Sequence, residues 1–230
     1  MFIDKSMTTD VITIRPETSI AEASELLVRN RVRHLPIIDE DGKLLGIVTD
    51  RDIRSAMPST MSVGEEADRE RERISRLEVR DIMTRKVVTL SPMHTLEDAL
   101  LLMQRTKVGA FPVVDPDGRL VGILSVRDLM RAFINVLGIE EPGTLLGIVV
   151  EDKIGQMKRI VDAITEEGIS FGSILVARIW EEGKRAVFPY LLTHNVGRVK
   201  AKLEDLGFTL LNPMQWSLHQ LPKKTDKGSA

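Results

Sequence analysis

The chain has 230 residues, of which 43% are hydrophobic, and a formal net charge of −2 at pH 7. This length fits one large domain or two medium ones, and no run approaches the roughly 20 apolar residues of a membrane span. The balanced charge disfavours a general nucleic-acid-binding surface, which needs an excess of basic residues. The absence of cysteine excludes disulfides, thiolate metal sites and a cysteine nucleophile. The N-terminus also lacks the pattern of a signal peptide, so we expect a cytoplasmic protein.

The first 58 residues predict a β-α-β-β-α unit. Apolar and β-branched residues predict strands at 11–14, 35–38 and 44–48. Ser19 and Glu22 form a capping-box pattern, which predicts the start of the first helix. The turn at 39–42 ends in Gly42 and joins the second and third strands as a hairpin. The last helix of the unit is predicted to begin after Thr49 and to reach about Met57.

This unit is repeated further along the chain. Each position from Met7 onward aligns without a gap with the position 76 residues later, and about 18 of roughly 47 aligned pairs are identical. Such agreement over a short window indicates a duplication. The second copy predicts strands at 87–90, 111–114 and 120–124, and helices at 95–105 and 126–137. Between the copies, residues 65–76 are dense in both charge signs and predict a solvated helix or linker.

The most distinctive part of the repeat is the junction between its last strand and its last helix. Here a glycine is followed by a hydroxyl residue and then by an Arg-Asp pair. The two sets are Gly46, Thr49, Arg51 and Asp52, and Gly122, Ser125, Arg127 and Asp128. A strand that runs into a helix N-terminus brings free backbone N–H groups and a hydroxyl together. This arrangement suits a phosphate group, and the aspartate could hold the hydroxyls of a sugar.

The C-terminal part of the chain predicts a different unit. Strands are predicted at 145–150, 173–180, 186–193 and 208–211, and helices at 155–166 and 196–206. This βαββαβ order is that of a ferredoxin-like fold. Residues 216–230 are predicted to form a polar tail. The predicted domains are therefore 1–58, 80–138 and 143–215, with a charged linker or helix at 59–79, and the predicted fold class is α+β.

The repeated motifs resemble those of CBS domains. The matching pattern, Gly-apolar-x-Thr/Ser-x-x-Asp-apolar, occurs at 46–53 and again at 122–129, and the Met-Thr pairs and Asp-x-Asp-Gly turns also fit. Residues 5–137 resemble two CBS domains in tandem, an arrangement called a Bateman module. Residues 143–213 resemble an ACT domain, although with fewer matching features. The order of these domains is similar to that of the acetoin-utilisation AcuB-like family.

The resemblance implies a regulatory sensor that binds adenine nucleotides of the AMP, ADP and ATP class in clefts between the CBS domains. In such pairs the aspartate holds the ribose hydroxyls, and the Thr or Ser contacts phosphate or ribose. The residues that the resemblance assigns to the first site are Thr13, His34, Pro36, Thr49 and Asp52. Those of the second site are Thr89, Ala110, Phe111, Pro112, Ser125 and Asp128. Arg51 and Arg127 are candidates for phosphate contacts, because a guanidinium group stays charged.

The ACT resemblance implies that a second small molecule, such as an amino acid, binds at the loop after the first strand of that domain. The candidate residues are Asp152, Ile154, Gly155, Gln156 and Met157, although Ile154-Gly155 stands where ACT domains usually carry Pro-Gly. The resemblance also implies a homodimer and a regulated protein partner. No cofactor, metal or membrane association is expected.

Other interpretations of the same residues stay open. The Thr-x-x-Asp and Ser-x-x-Asp patterns are also loose capping boxes, which explain both residues without any ligand. The chain would then be a dimerising scaffold with empty clefts, or a sensor of an amino acid through its ACT-like domain. A nucleic-acid role is disfavoured by the charge. Catalysis is disfavoured because the four histidines lack metal-ligand spacing and neither a Gly-x-Ser-x-Gly motif nor a P-loop occurs.

Overall fold

The computed structural model describes residues 1–57 and 76–216. It divides into two compact units, Met1–Met130 and Arg131–Ala230. Most of the predicted linker and nearly all of the predicted tail lie outside the described residues, so both stay predictions. Within the described ranges, no helix combines the length and the apolar character needed to cross a membrane.

The first repeat folds into two helices and a hairpin. Its elements are α1 (Ile20–Asn30), β1 (His34–Ile38), β2 (Leu44–Thr49) and α2 (Asp50–Ala56), and the two strands are antiparallel. As predicted, the Ser19 hydroxyl caps α1 by accepting a hydrogen bond from the Glu22 N–H. The apolar stripe of α1, formed by Ile20, Ala23 and Leu27, is buried in one core with residues of both strands and of α2.

The second repeat has the same arrangement, preceded by a short α-helix where the first repeat has a 3-10 helix at Ile3–Lys5. Its elements are α3 (Val79–Ile82), α4 (Leu96–Thr106), β3 (Ala110–Val114), β4 (Leu120–Ser125) and α5 (Val126–Leu137). The two hairpins share one register, because Pro112 faces Ile123 as Pro36 faces Ile47. The duplication that is visible in the sequence is therefore also present in the strand pairing.

The predicted first strand of each repeat, at 11–14 and 87–90, is wrong, because each segment makes a single bridge. Ile14 bridges β1 by donating to the Pro36 carbonyl and accepting from the Ile38 N–H. The next bonds of this parallel ladder would need N–H groups from Pro16 and Pro36, and proline has none. Leu90 bridges β3 between the equivalent prolines. The prolines thus prevent the strand that the β-branched residues favour.

Each repeat places its N-terminal segment against the hairpin of the other repeat. The backbones of Thr84 and Ile47 exchange two hydrogen bonds, so that the start of the second repeat lies along β2. Thr8 and Ile123 make the equivalent exchange along β4. The motif glycine permits this approach, because a Cβ on Gly46 would lie 2.9 Å from the Thr84 carbonyl oxygen. The exchange brings residues of the second repeat beside the first motif.

The second unit has the predicted βαββαβ order. Its elements are β5 (Gly143–Glu151), α6 (Gln156–Thr165), β6 (Phe171–Glu181), β7 (Lys184–Leu191), α7 (Gly197–Asp205) and β8 (Thr209–Trp216). The strands form an antiparallel sheet in the order β6-β7-β5-β8. One core joins β5 and β7 to both helices through residues such as Ile148, Ile160, Val187 and Val199. Both helices therefore cover the same face of the sheet.

Candidate functional site

The motif residues of both repeats form capping boxes. The Thr49 N–H and hydroxyl both donate to Asp52 Oδ2, at 2.9 and 2.7 Å, and the Asp52 N–H donates to Thr49 Oγ1 at 3.3 Å. Ser125 and Asp128 make the same three hydrogen bonds at the start of α5. Each motif thus stabilises a helix N-terminus. This cap uses one carboxylate oxygen of each aspartate and leaves Oδ1 for another partner.

A cleft of about 490 Å³ lies beside the first motif. Its volume is within the range of small-molecule sites. Both repeats line it, since the start of the second repeat lies along β2. The first repeat contributes residues that include His34, Thr49, Arg51 and Asp52, and the second contributes residues that include Thr84, Lys86, Val87, Val88, Lys107, Gly109 and Ala110. The cleft is therefore formed by both repeats together and not by one repeat alone.

The two aspartates differ in their second carboxylate oxygen. Asp52 is half-buried at the cleft, and its Oδ1 accepts no hydrogen bond from the residues that the structure describes. Asp128 is only 5% exposed, and its Oδ1 accepts a hydrogen bond from the Thr8 hydroxyl at 3.1 Å. Thr84, which is equivalent to Thr8, is exposed and lines the cleft. Asp52 can therefore accept hydrogen bonds from a ligand hydroxyl, whereas Asp128 is already engaged through both oxygens.

The cleft is rich in cations. Five of its lining residues are Arg or Lys: Arg33, Arg51, Arg54, Lys86 and Lys107. Arg54 pairs with Asp50, at 2.7 Å between Nη2 and Oδ2. The other four have no carboxylate partner within residues 1–57 and 76–216. The site therefore has a positive field that favours an anionic ligand.

His34 is held in its neutral form. Burial lowers the pKa of His34 below its usual value, the neighbouring charge of Arg33 lowers it further, and Asp52 opposes the shift. A neutral imidazole has one donor and one acceptor nitrogen. Its ring faces the backbone of Gly109, because a Cβ placed there would lie 3.9 Å from His34 Nε2. This half-buried ring can hydrogen-bond the edge of a heterocyclic base.

The structure brings together only part of the predicted first site. His34, Thr49, Arg51 and Asp52 line the cleft, whereas Thr13 and Pro36 are not among its lining residues. Thr84 and residues 86–88 lie there instead, because the backbone pairing of Thr84 carries them to β2. The repeat alignment shows which residues correspond, but it does not show that the repeats exchange their N-terminal segments. That exchange is why Thr84 and Lys86 were missed, whereas Lys107 lines the cleft from the end of α4.

The residues predicted for the second site are not gathered in the same way. Ala110 lines the first cleft instead. Phe111 and Pro112 are buried, and Phe111 has no exposed surface, so neither is available to a ligand in this structure. Thr89 is half-buried and Arg127 is exposed, and neither lines the first cleft. Ser125 and Asp128 are engaged in the cap of α5, so a ligand role for this set stays a prediction.

In the C-terminal unit, the loop that was predicted to bind a ligand is mostly exposed. Asp152 forms an ion pair with Arg185, at 2.6 Å between Oδ1 and Nε. Ile154 is fully exposed, and Gly155 takes a left-handed conformation with a φ of 95°. Gln156 accepts a hydrogen bond from the Arg159 side chain, and Met157 is 36% exposed. A ligand role for these residues therefore also stays a prediction.

Comparisons with known proteins identify the repeated region. A family model described as the CBS domain matches residues 3–59 and 79–135. A CBS domain-containing protein of Dictyostelium discoideum is 35% identical over 137 residues, which cover 60% of this chain and 94% of that protein. Inosine-5'-monophosphate dehydrogenase of Mycobacterium tuberculosis is 33% identical over 134 residues, which cover 56% of this chain and 21% of that enzyme.

Solved structures match the same region. The CBS-pair protein CBSX2 from Arabidopsis thaliana is 33% identical, with a TM-score of 0.50 and coverage of 58% of this chain and 94% of that chain. AcuB from Vibrio cholerae is 27% identical, with a TM-score of 0.51 and coverage of 60% and 94%. A second crystal structure of CBSX2 is a complex with AMP, with a TM-score of 0.49. The first two of these structures support the tandem CBS pair with its α+β fold.

Proposed function

Because the chain belongs to the family of CBS domain-containing proteins, we propose that it is a regulatory protein without catalytic activity that binds an adenine nucleotide. The proposed site is the cleft beside Thr49 and Asp52. The ribose hydroxyls would donate to Asp52 Oδ1, His34 would contact the base, and the cations at the rim would hold phosphate. Each of these roles matches the chemistry of the side chain concerned.

The observation that carries this proposal is the state of Asp52. Asp52 is half-buried at the wall of a cleft of about 490 Å³ and its Oδ1 has no donor among residues 1–57 and 76–216, so this oxygen is an acceptor that a ligand can satisfy. The capping interpretation accounts for Oδ2 but not for Oδ1. CBSX2, which shares 33% identity with this chain, has been crystallised with AMP. This fact about a relative is consistent with a nucleotide in the first cleft.

Calorimetric titration of the full chain with AMP, ADP, ATP and S-adenosylmethionine tests the proposal. Asp52→Asn keeps the size of the side chain and removes its charge, and Asp128→Asn is the matched variant in the other repeat. Hydrogen bonds to a charged group contribute about 1.5–3 kcal/mol each. We therefore expect Asp52→Asn to weaken nucleotide binding by roughly 100-fold, since two such bonds to ribose are weakened.

Asp128→Asn should change the affinity by less than about twofold, because Asp128 is engaged by Ser125 and Thr8. If none of the four compounds binds to folded protein, the first motif is only a helix cap. If Asp128→Asn removes binding and Asp52→Asn does not, the ligand occupies the other repeat and our assignment of the cleft is wrong.

The remaining expectations belong to the same proposal. A regulatory ligand acts only if it binds two arrangements of the protein with different affinity. We propose that the chain forms a homodimer and acts on a protein partner, and that its C-terminal unit is an ACT-like domain. The βαββαβ order of that unit supports the last point. The alternative of an amino-acid sensor predicts stabilisation by amino acids that survives in both aspartate variants.

A further inference from the structure

We propose that the cleft beside Asp52 selects ligands with two or more phosphate groups over monophosphates and over S-adenosylmethionine. The inference rests on the proposed function, because it assumes that an adenine nucleotide occupies this cleft. Beyond that function, it assigns the selection among ligands to the number of their phosphate groups. The basis is the charge and placement of the lining residues compared with their counterparts in the other repeat.

The charge of the cleft is unusual for this protein. The chain as a whole has a net charge of −2, yet the cleft has five cationic lining residues and two carboxylates, Asp50 and Asp52. Its formal charge is therefore +3. One dissociated phosphate monoester carries a charge of about −2 at most. A monophosphate thus leaves part of the field unbalanced, whereas a diphosphate or triphosphate can neutralise it.

The duplication provides an internal reference for this charge. The counterparts of the five cations, 76 residues away, are Gly109, Arg127, Met130, Asp10 and Arg31. The counterparts of the two carboxylates are Val126 and Asp128. The second set has two cations and two carboxylates, and its formal charge is zero. A helix cap and a hairpin do not require five cations, because the second repeat has both without them. The cations of the first cleft therefore point to a ligand.

The four cations that have no ion-pair partner among the described residues surround the cleft from separate elements. Arg33 precedes β1, Arg51 is in the first turn of α2, Lys86 follows α3, and Lys107 ends α4. One phosphate group is too small to contact cations placed on four separate segments. A chain of two or three phosphates extends along the wall and can contact more of them. Like charges held together without partners repel one another, so such a ligand also relieves repulsion.

Lys107 allows one cation of the cleft to be removed without straining the backbone. It adopts a left-handed conformation with φ 56° at the C-terminal cap of α4. Glycine and asparagine usually occupy this cap position, because other residues are strained there. Arg31 stands at the equivalent cap of α1, with φ 54°, and does not line the cleft. The pair supplies two variants that remove one cation from the same backbone conformation.

The test is a calorimetric titration of the full chain with adenosine, AMP, ADP, ATP and S-adenosylmethionine, without divalent cations so that phosphate charges are not masked. We expect ATP and ADP to bind at least about tenfold more tightly than AMP, and AMP more tightly than adenosine. Added potassium chloride should weaken ATP binding more steeply than adenosine binding. Inorganic tripolyphosphate should compete with ATP.

Lys107→Gly should reduce ATP affinity by roughly tenfold and leave adenosine affinity unchanged, whereas Arg31→Gly should leave both unchanged. Glycine suits both positions, so both variants are expected to fold, and thermal melting confirms it. Equal affinity for AMP, ADP and ATP would overturn this inference and leave the nucleotide function intact. Failure of all five compounds would overturn both. Equal loss of adenosine and ATP binding in Lys107→Gly would show a structural role and also overturn the inference.

Discussion

The two Asp-containing motifs are alike in backbone and different in surroundings. Thr49 and Ser125 cap their helices with the same three hydrogen bonds to an aspartate. Around the first motif the aspartate faces a cationic cleft, and around the second it accepts a hydrogen bond from Thr8. Features required for folding, such as the cap, the glycine and the prolines, are thus present in both copies. Within residues 1–57 and 76–216, the aspartate oxygen that accepts no hydrogen bond is the one at the first motif, where it borders the cationic cleft.

The largest effect on stability is expected at Gly46 and Gly122, because both repeats lack room for a side chain at this position. At both positions an added Cβ would meet a flexible methionine, Met83 Sδ at 2.8 Å from Gly46 and Met7 Sδ at 2.5 Å from Gly122. The carbonyl oxygen fixed by backbone pairing is closer at Gly46, where Thr84 lies 2.9 Å away, than at Gly122, where Thr8 lies 3.1 Å away. We expect Gly46→Ala to lower the free energy of unfolding by about 3 kcal/mol and Gly122→Ala by about 1–2 kcal/mol.

Chemical denaturation of the full chain measures both values. Gly109→Ala is the control, because its Cβ would meet only His34 atoms at 3.9 Å, an ordinary contact distance. A change at Gly109 as large as that at Gly46 would show that the cost comes from glycine itself and not from the contact between repeats. Equal losses at Gly46 and Gly122 would show that the closer carbonyl contact at Gly46 has no additional cost.

A smaller effect is expected from the hydrogen bond between Thr8 and Asp128, by which Asp128 differs from Asp52. Thr8→Val removes the hydroxyl that donates to buried Asp128 while keeping the shape of the side chain. Because the acceptor is a carboxylate, we expect a loss of about 1.5–3 kcal/mol in the free energy of unfolding. Thr84→Val removes an exposed hydroxyl and should change stability by less than about 0.5 kcal/mol in protein without ligand.

Thermal and chemical denaturation of the two threonine variants should therefore give different results despite the identical substitution. Losses of the same size would contradict the comparison, because they would mean that Asp128 gains nothing from Thr8. Thr84→Val should also be titrated with ATP, since Thr84 lines the cleft and Thr8 does not. If Thr84→Val changes the affinity for ATP and Thr8→Val does not, this independent result also places the ligand at the first motif.

The sequence predicted the elements of each repeat well because their signals are local. The capping pair Ser19 and Glu22, the turn ending in Gly42 and the apolar stripe of α1 all depend on neighbours within a few residues. The prediction of a strand at 11–14 was wrong because two prolines lack the N–H groups that a ladder needs, Pro16 along the same chain segment and Pro36 in the neighbouring strand. The effect of Pro36 depends on which strands become neighbours.

The binding site was harder to predict for a related reason. The resemblance to CBS domains assigned Thr13 to the first site, whereas the structure places Thr84 and residues 86–88 there. Both arrangements preserve the same pairwise similarities, so the sequence does not distinguish them. The backbone exchange between Thr84 and Ile47 shows that the second repeat completes the cleft beside the first motif. The excess of cations at this cleft is visible only in the structure, because Lys86 and Lys107 belong to the second repeat.

The smallest effect is expected from pH, and it involves only the first repeat, since Ala110 is the counterpart of His34. The pKa of folded His34 lies below its usual value of 6.5, mainly through burial and then through Arg33. Below pH 6.5 the unfolded chain therefore binds the proton more readily than the folded protein does. Stability should fall as the pH drops from about 6.5 through the lower folded pKa, and His34→Gln should remove that part of the decline.

Ligand binding should show the opposite trend. An anionic ligand beside His34 favours the protonated ring, so nucleotide affinity should rise modestly as the pH is lowered from 7.5 to about 6. His34→Gln should flatten this rise in calorimetric titrations. A pH dependence that is unchanged in His34→Gln would assign the effect to other groups, because the phosphate groups of the ligand also titrate near pH 6. The difference between the natural protein and His34→Gln therefore separates the contribution of this side chain from that of the ligand.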